Sequence, residues 1–312
     1  MVIFNLFIVS DRMSLIETFI VILIIIFIGY IAKRINLLEV NNVDTLNKIV
    51  INIAMPCLVF SSLYTTNTSL FPKLGMLPIT NLIVCGLIAA ITYGILSIKK
   101  IDTKKKWSIV LVAAMANTGF FGYPLCLGVF GNDGLIRAIF YDVGTTILFI
   151  LFNFLFIFIF GGKLKSVLKT IATFPLLWAV VLGLLFNVLN IQIGTVATNV
   201  LDYLKAVTVP LIMLSLGLSI DFRGLKKNLN WAAFTSVFKL IVAPIIAVFV
   251  LKLLGVSGFE FQIGVIEATM PPAMLALALA INYDLDVHIA SDCIFVDMIV
   301  SLIILPIVMS IV

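Results

Sequence analysis

Apolar residues run along this chain in long stretches rather than alternating with polar ones, as they would in half-buried strands. Ten such runs lie at roughly 14–33, 43–63, 76–98, 107–130, 135–160, 170–189, 198–219, 230–253, 259–281 and 288–311, separated by short polar or charged turns. Each is well beyond the roughly ten residues of a barrel strand and near the roughly 20 that a helix needs to cross a bilayer. The pattern therefore predicts an all-α integral membrane fold of ten transmembrane helices. Residues 1–12 (MVIFNLFIVSDR) have no basic segment ahead of their apolar stretch, which makes them a poor signal peptide. They are expected to be a short N-terminal extension, with Met13 as an alternative start.

Composition agrees with this reading. The 312 residues are 62% hydrophobic and 11% charged, against about 45–50% and about 25% in soluble domains. That excludes a water-soluble protein and leaves no room for a sizeable soluble domain. The net charge of +5 does not point to nucleic acid, because the basic residues are concentrated in alternate loops. Lys33 and Arg34, then Lys99, Lys100, Lys104, Lys105 and Lys106, then Lys163, Lys165 and Lys169, then Arg223, Lys226 and Lys227 occupy the first, third, fifth and seventh loops. The other loops offer Lys73 and Arg137. Cytoplasmic loops carry the excess of Lys and Arg, so both termini are expected outside a cell membrane. Cys57, Cys85, Cys126 and Cys293 stand singly in apolar runs and His288 is the single histidine. No metal site and no cofactor is expected, and a Ser-His-Asp triad would have to use that one histidine.

The two halves resemble each other. Gly29 and Asn36 in the first run match Gly183 and Asn190 in the sixth at an offset of 154. Pro56 and Ser61 in the second match Pro210 and Ser215 in the seventh at the same offset. Asp142 and Asp292 stand 150 apart, and the fourth and ninth runs are broken by Gly119-Phe-Phe-Gly122-Tyr-Pro124 and Met270-Pro271-Pro272. Halves of five spans each enter the membrane in opposite senses, so an inverted five-plus-five repeat is expected. It divides the chain into a first half at 13–162, a basic cytoplasmic linker at 163–169 and a second half at 170–312.

The breaks carry the chemistry. Proline removes a helical hydrogen bond and clashes with the preceding turn, and in hydrocarbon the freed backbone groups are tolerated only where buried or lining a wet cavity. Two breaks at corresponding places suggest discontinuous helices crossing near the midplane. Their half-helix N-termini, with free amides and partial positive charge, suit an anion such as a carboxylate. Asn117 and Glu267 border the breaks. Glu267, Asp142, Asp292 and Asp297 are the candidate coupling groups, each weighed against a structural role. Pro56, Pro210, Pro124 and Pro271 are the candidate helix breaks or hinges. Lys48 and Lys205 read as snorkelling side chains, whereas Lys239 could pair with a carboxylate or attract the substrate. The phenylalanines of FNFLFIFIF at 152–160 read as packing or lipid-facing surface.

The stretch Asn117-Thr-Gly-Phe-Phe-Gly-Tyr-Pro124-Leu resembles the signature of the auxin efflux carrier family, which includes prokaryotic organic-acid permeases and the plant PIN auxin exporters. Asn52-Ile-Ala-Met-Pro56, Pro210 with Leu216-Gly217, Met270-Pro271-Pro272-Ala273 and Leu305-Pro306 extend the resemblance over residues 13–312. It implies a scaffold part, a transporter part and an elevator-like movement, in an architecture shared with bile-acid symporters. Substrate would bind where the fourth and ninth helices cross. Asn117, Thr118, Gly119, Gly122, Pro124, Met270, Pro271, Pro272 and Ala273 are then the expected contacts. The short basic segment GGKLKSVLKT replaces the long cytoplasmic segment of the plant exporters and points to a permease of the prokaryotic type.

The expected function is secondary active transport of small organic anions such as malate, malonate or auxin-like acids. The expected partners are that anion, H+ or Na+ as coupling ion and the lipid bilayer, with a homodimer left open. A sodium symporter of the bile-acid type is the alternative within this class. Outside it stand a channel, which would show unsaturable flux, and an intramembrane enzyme using Glu267, Asp297 and His288. The sequence shows no Walker A motif for an ATP-driven pump.

Overall fold

The computed structural model describes residues 15–99, 101–220 and 228–312. The extension at 1–12, Met13, Lys100, Arg223, Lys226 and Lys227 lie outside the described residues. Among those described the chain is helical, with one isolated two-residue bridge and no strand ladder. The helices are α1 Leu15–Arg34, α2 Asn42–Tyr64, α3 Thr68–Ile98, α4 Thr103–Ala114 and α5 Thr118–Phe160. Then come α6 Leu164–Ala172, α7 Pro175–Val188, α8 Thr195–Ser219, α9 Leu229–Leu253, α10 Phe259–Ala268, α11 Met274–Asn282 and α12 Val287–Ile311. By length and composition six of these (α2, α3, α5, α8, α9 and α12) can cross a membrane, or seven if α6 and α7, bent by 49°, form one span. The chain is thus a multi-pass membrane protein. The runs at 107–130 and 259–281 are not uninterrupted helices. The first unwinds between Ala114 and Thr118, the second between Ala268 and Met274. Within α5, Gly131 takes φ 66° and ψ −159°, which breaks the axis between the fourth and fifth runs.

Prolines shape the helices in a regular way. A π-helical turn precedes Pro56 (Val50–Ala54), Pro124 (Thr118–Gly122) and Pro244 (Val237–Val242), each proline following two residues after the turn ends. A proline ring collides with the carbonyl one turn back and offers no donor to it. Widening that turn by one residue moves the carbonyl aside and lets the helix continue. Pro56 therefore marks a bulge in a continuous helix. In α8 the irregularity near Pro210 is a one-residue turn at Val207.

The chain forms two compact units, and each draws on both sequence halves. The described residues of unit 1 are 15–71, 123–136 and 170–220. Within it α1 packs along α8, and α7 along α2. These two contacts are the same contact with the halves exchanged. A β-carbon on Gly29 would lie 2.4 Å from the Leu214 carbonyl oxygen, and one on Gly183 would lie 3.1 Å from that of Phe60. Lys33 Nζ donates to the carbonyls of Leu218 (3.1 Å) and Ile220. Asn187 Nδ2 donates to those of Tyr64 (2.8 Å) and Thr66 (2.7 Å). Moving one partner forward by 154 and the other back by 154 converts each first contact into the second. Asn36 (φ 56°) and Asn190 (φ 52°), 154 apart, close α1 and α7 in the left-handed conformation that asparagine tolerates.

The described residues of unit 2 are 72–99, 101–122, 137–169 and 228–312. Its core is α4, buried from Trp107 to Ala114. The Trp107 ring meets Phe156 edge-on at 5.2 Å, and Phe156 meets Tyr283 at 5.2 Å. Of the 152–160 phenylalanines, Phe152 and Phe156 are thus packing residues, whereas Phe158 is exposed. Arg137, read from the sequence as a loop cation, is instead buried in α5. Its Nη2 pairs with Glu260 at 2.7 Å and its guanidinium lies 4.4 Å from the centre of the Phe259 ring.

Close helix approach through small residues is how membrane helices associate. A β-carbon on Gly217 would sit 2.0 Å from the Ile26 carbonyl oxygen, whereas one on Gly86 would meet nothing within 4 Å. Gly217→Ala is expected to destabilise the fold by about 1–3 kcal/mol through overpacking, and Gly86→Ala to leave stability unchanged or slightly raised. Thermal unfolding of the two variants in one detergent checks this, and equal midpoints would contradict it.

Candidate functional site

The two unwound segments meet within unit 2. After α4 the backbone extends through Met115, Ala116 and Asn117. After α10 it does so through Pro271, Pro272 and Ala273, and Ala116 lies opposite Pro272 in an antiparallel bridge. Asn117 N donates to the Pro271 carbonyl at 2.7 Å and Ala273 N to the Met115 carbonyl at 2.9 Å. Pro271 and Pro272 supply no N–H, so a helix through them would leave carbonyls one turn back without donors. Their backbone pairs sideways instead, which satisfies polar groups that hydrocarbon cannot.

Helical structure resumes at Thr118 on one strand of the bridge and at Met274 on the other. Two helix N-termini therefore begin beside the bridge, each with amides that have no intrahelical acceptor and with partial positive charge. Asn117 caps the first: its Oδ1 accepts from Phe120 N at 3.1 Å. Asn117, Thr118, Gly122, Pro124, Met270, Pro271, Pro272 and Ala273 are all buried, and Gly119 is half-buried. Four of these predicted residues, Asn117, Pro271, Pro272 and Ala273, belong to the paired segments, and Asn117 and Ala273 are also the caps.

Buried ionisable groups surround the bridge. Glu267, fully buried, ends α10 with its carboxylate against Gly122. A β-carbon there would lie 2.3 and 2.4 Å from its two oxygens, so only glycine admits it. Lys239, in the π-turn before Pro244, is 1% exposed, and its Nζ donates at 3.0 Å to the Ala268 carbonyl. That ammonium sits on the negative end of α10 and also interacts electrostatically with Asp297 and Glu267. Ser236 donates to Asp297, whose other oxygen is buried without a hydrogen bond. Asp142 accepts from Thr118, which also contacts the Thr145 hydroxyl at 3.2 Å. Asn81 Nδ2 donates to that hydroxyl at 2.9 Å, and Cys85 Sγ donates to Asn81 Oδ1 at 3.3 Å. Asp292 is elsewhere: half-buried, it accepts from Asn228 Nδ2 at 2.7 Å. Pro56 and Pro210 belong to unit 1.

Sequence reasoning missed Asn81, Thr145 and Ser236. An amide within the apolar run of α3 is costly in lipid, and that cost was the available signal for Asn81. Thr145 and Ser236 gave none, since small hydroxyl residues can also bond to carbonyls of their own helix.

A family model described as membrane transport protein matches residues 14–160 and 159–309. An uncharacterized transporter of Methanothermobacter thermautotrophicus is 41% identical over 290 residues, 93% of this chain and 96% of that protein. One of Methanocaldococcus jannaschii is 33% identical over 295 residues, with the same coverage. The uncharacterized transporter YfdV of Escherichia coli K12 is 21% identical over 272 residues, 84% of this chain and 86% of its own length.

Removing one member of a buried charge set leaves the others uncompensated, at a cost of about 3–5 kcal/mol. Lys239→Met is expected to show a loss of that order, and adding Glu267→Gln should recover part of it, because the two groups share one field. Unfolding of both single variants and the double variant measures the coupling. Strict additivity would dissociate Lys239 from Glu267.

Proposed function

The chain belongs to the membrane transport protein family, and we propose that it is a secondary active transporter of small organic anions. Its role is transport and not catalysis, which accords with the resemblance to auxin efflux carrier permeases. The observation that carries the substrate class is the antiparallel pairing of residues 115–117 with 271–273, beside which two helix N-termini begin. A carboxylate bound there would accept from amides that the breaks have freed and would lie in partial positive charge. The proposed substrates are carboxylates such as malate, malonate or auxin-like acids. Asn117, Gly119 and the backbone around Pro271–Ala273 are the proposed contacts.

We read the chain as ten spans in two inverted halves, 13–162 and 170–312, joined by the basic segment 163–169, with both termini outside the cell membrane. The exchanged contacts of α1 with α8 and α7 with α2 support this, because contacts that interchange in pairs are those of a two-fold relation. Alternating access is proposed to be of the elevator type, with unit 2 as the moving part. The support is that the paired segments and their charged neighbours all belong to that unit.

Proton coupling is favoured over sodium. The Lys239 amine already occupies the α10 carbonyl end, donating to the Ala268 carbonyl, where a sodium ion would have to compete with it. In proteoliposomes loaded with labelled malonate, flux is expected to saturate, to follow a pH gradient and to persist without sodium. Asn117→Ala should weaken binding about tenfold with folding intact, and Glu267→Gln should abolish gradient-driven flux. Sodium dependence would favour the symporter reading, and unchanged affinity in Asn117→Ala would remove the crossing as the site.

A further inference from the structure

Unit 1 contains a cavity of about 270 Å³ that plays no part in the crossing. Ser61 and Ser62 of α2, Thr65 just after it, Asn132 of α5 and Lys205 of α8 supply its polar wall, and Leu58 is among its apolar residues. Ser61 is 8% exposed, and its hydroxyl is buried with no hydrogen bond. A buried hydroxyl without a partner costs about 1–3 kcal/mol; Ser61 shares that state with Thr18, Tyr141 and Thr208, and of these four it is the one that lines the cavity.

The exchanged half shows what a filled version looks like. Ser215, 154 residues after Ser61, donates to Asn47 Oδ1 at 2.6 Å. The residue exchange-related to Asn47 is Leu201, which has nothing to offer Ser61. Ser62 and Lys205 correspond to Leu216 and Ile51. At each of these three places, one half closes the contact internally or with hydrocarbon, and the other presents polar groups to a cavity.

We propose that this cavity is an auxiliary binding site for a small oxyanion, a carboxylate or a phosphate group. Lys205 supplies the charge and Ser61, Ser62 and the Asn132 amide supply donors, while the Thr65 hydroxyl is spent on the Ser61 carbonyl at 3.0 Å. Lys205 also pairs with Asp202 at 2.6 Å, so the bound anion shares that ammonium with a surface carboxylate. The volume lies below the roughly 300–1,000 Å³ of drug-sized sites and suits a ligand of malonate size. The preference for a carboxylate rests on the proposed transport of organic anions, whereas the cavity and its orphan hydroxyl do not.

The test is equilibrium binding of labelled malonate to the full chain in nanodiscs of phosphatidylcholine. The unmodified protein is expected to bind two equivalents. Ser61→Ala combined with Lys205→Gln should weaken one of them at least tenfold, and so should Leu201→Asn, which recreates on this side the partner that Asn47 gives Ser215. Thermal unfolding confirms that these variants fold, which is expected because Ser61→Ala removes an unsatisfied group. Asn117→Ala should spare the cavity equivalent. If the cavity variants titrate like the unmodified protein, the proposal is overturned. If they lose one equivalent while Asn117→Ala loses none, the cavity stands and the crossing reading fails. Repeating the titration with phosphatidylglycerol present separates the sources: competition assigns the site to a lipid headgroup phosphate, and its absence assigns it to a soluble carboxylate.

Discussion

The fold turns on the need to satisfy backbone polar groups where water is absent. Pro271 and Pro272 remove two donors from what would otherwise be a continuous helix, and the chain answers with the bridge between Ala116 and Pro272. Everything around the crossing follows from that pairing. It ends α4 and α10 and fixes where Asn117 can cap. It also brings Thr118 to Asp142 and leaves the carbonyl end of α10 to be covered by Lys239. Two backbone hydrogen bonds flanking one residue pair, Asn117 N to the Pro271 carbonyl and Ala273 N to the Met115 carbonyl, therefore organise the charges of unit 2 without being charged themselves.

Much of this was legible in the sequence because it is local. Ten apolar runs, the glycines and proline after Asn117 and the doubled proline after Met270 each act on the backbone within a turn of themselves. The 154-residue offset was equally visible, since it needs nothing but comparison. What proline does next is not local. Pro56, Pro124 and Pro244 each follow a widened turn, whereas Pro271 and Pro272 lie in a fully unwound segment. A single proline can be absorbed by moving one carbonyl. Two in succession remove neighbouring donors, and only a partner segment can replace them.

The charged groups were least legible. Arg137 looked like a loop cation because it follows the polar turn Gly131-Asn132-Asp133, yet it pairs with Glu260, more than 120 residues away. Lys239 was open to a carboxylate partner, and its hydrogen bond goes to a backbone carbonyl exposed by the break in another helix. In a soluble protein, amphipathic periodicity shows which face of a helix is inward. Here lipid and core are both apolar, so the pattern carries little facing information and buried partners cannot be read from spacing.

The exchanged contacts of unit 1 are alike in geometry but not in chemistry. Lys33 ties down the end of α8 with an ammonium, and Asn187 ties down the end of α2 with a neutral amide. Two identical halves related by a two-fold axis would make the inward-facing and outward-facing states of a carrier equivalent by rotation and equal in energy. Such a carrier would have no preferred resting side. In a carrier built that way, direction would enter only where the halves disagree, as Lys33 and Asn187 do.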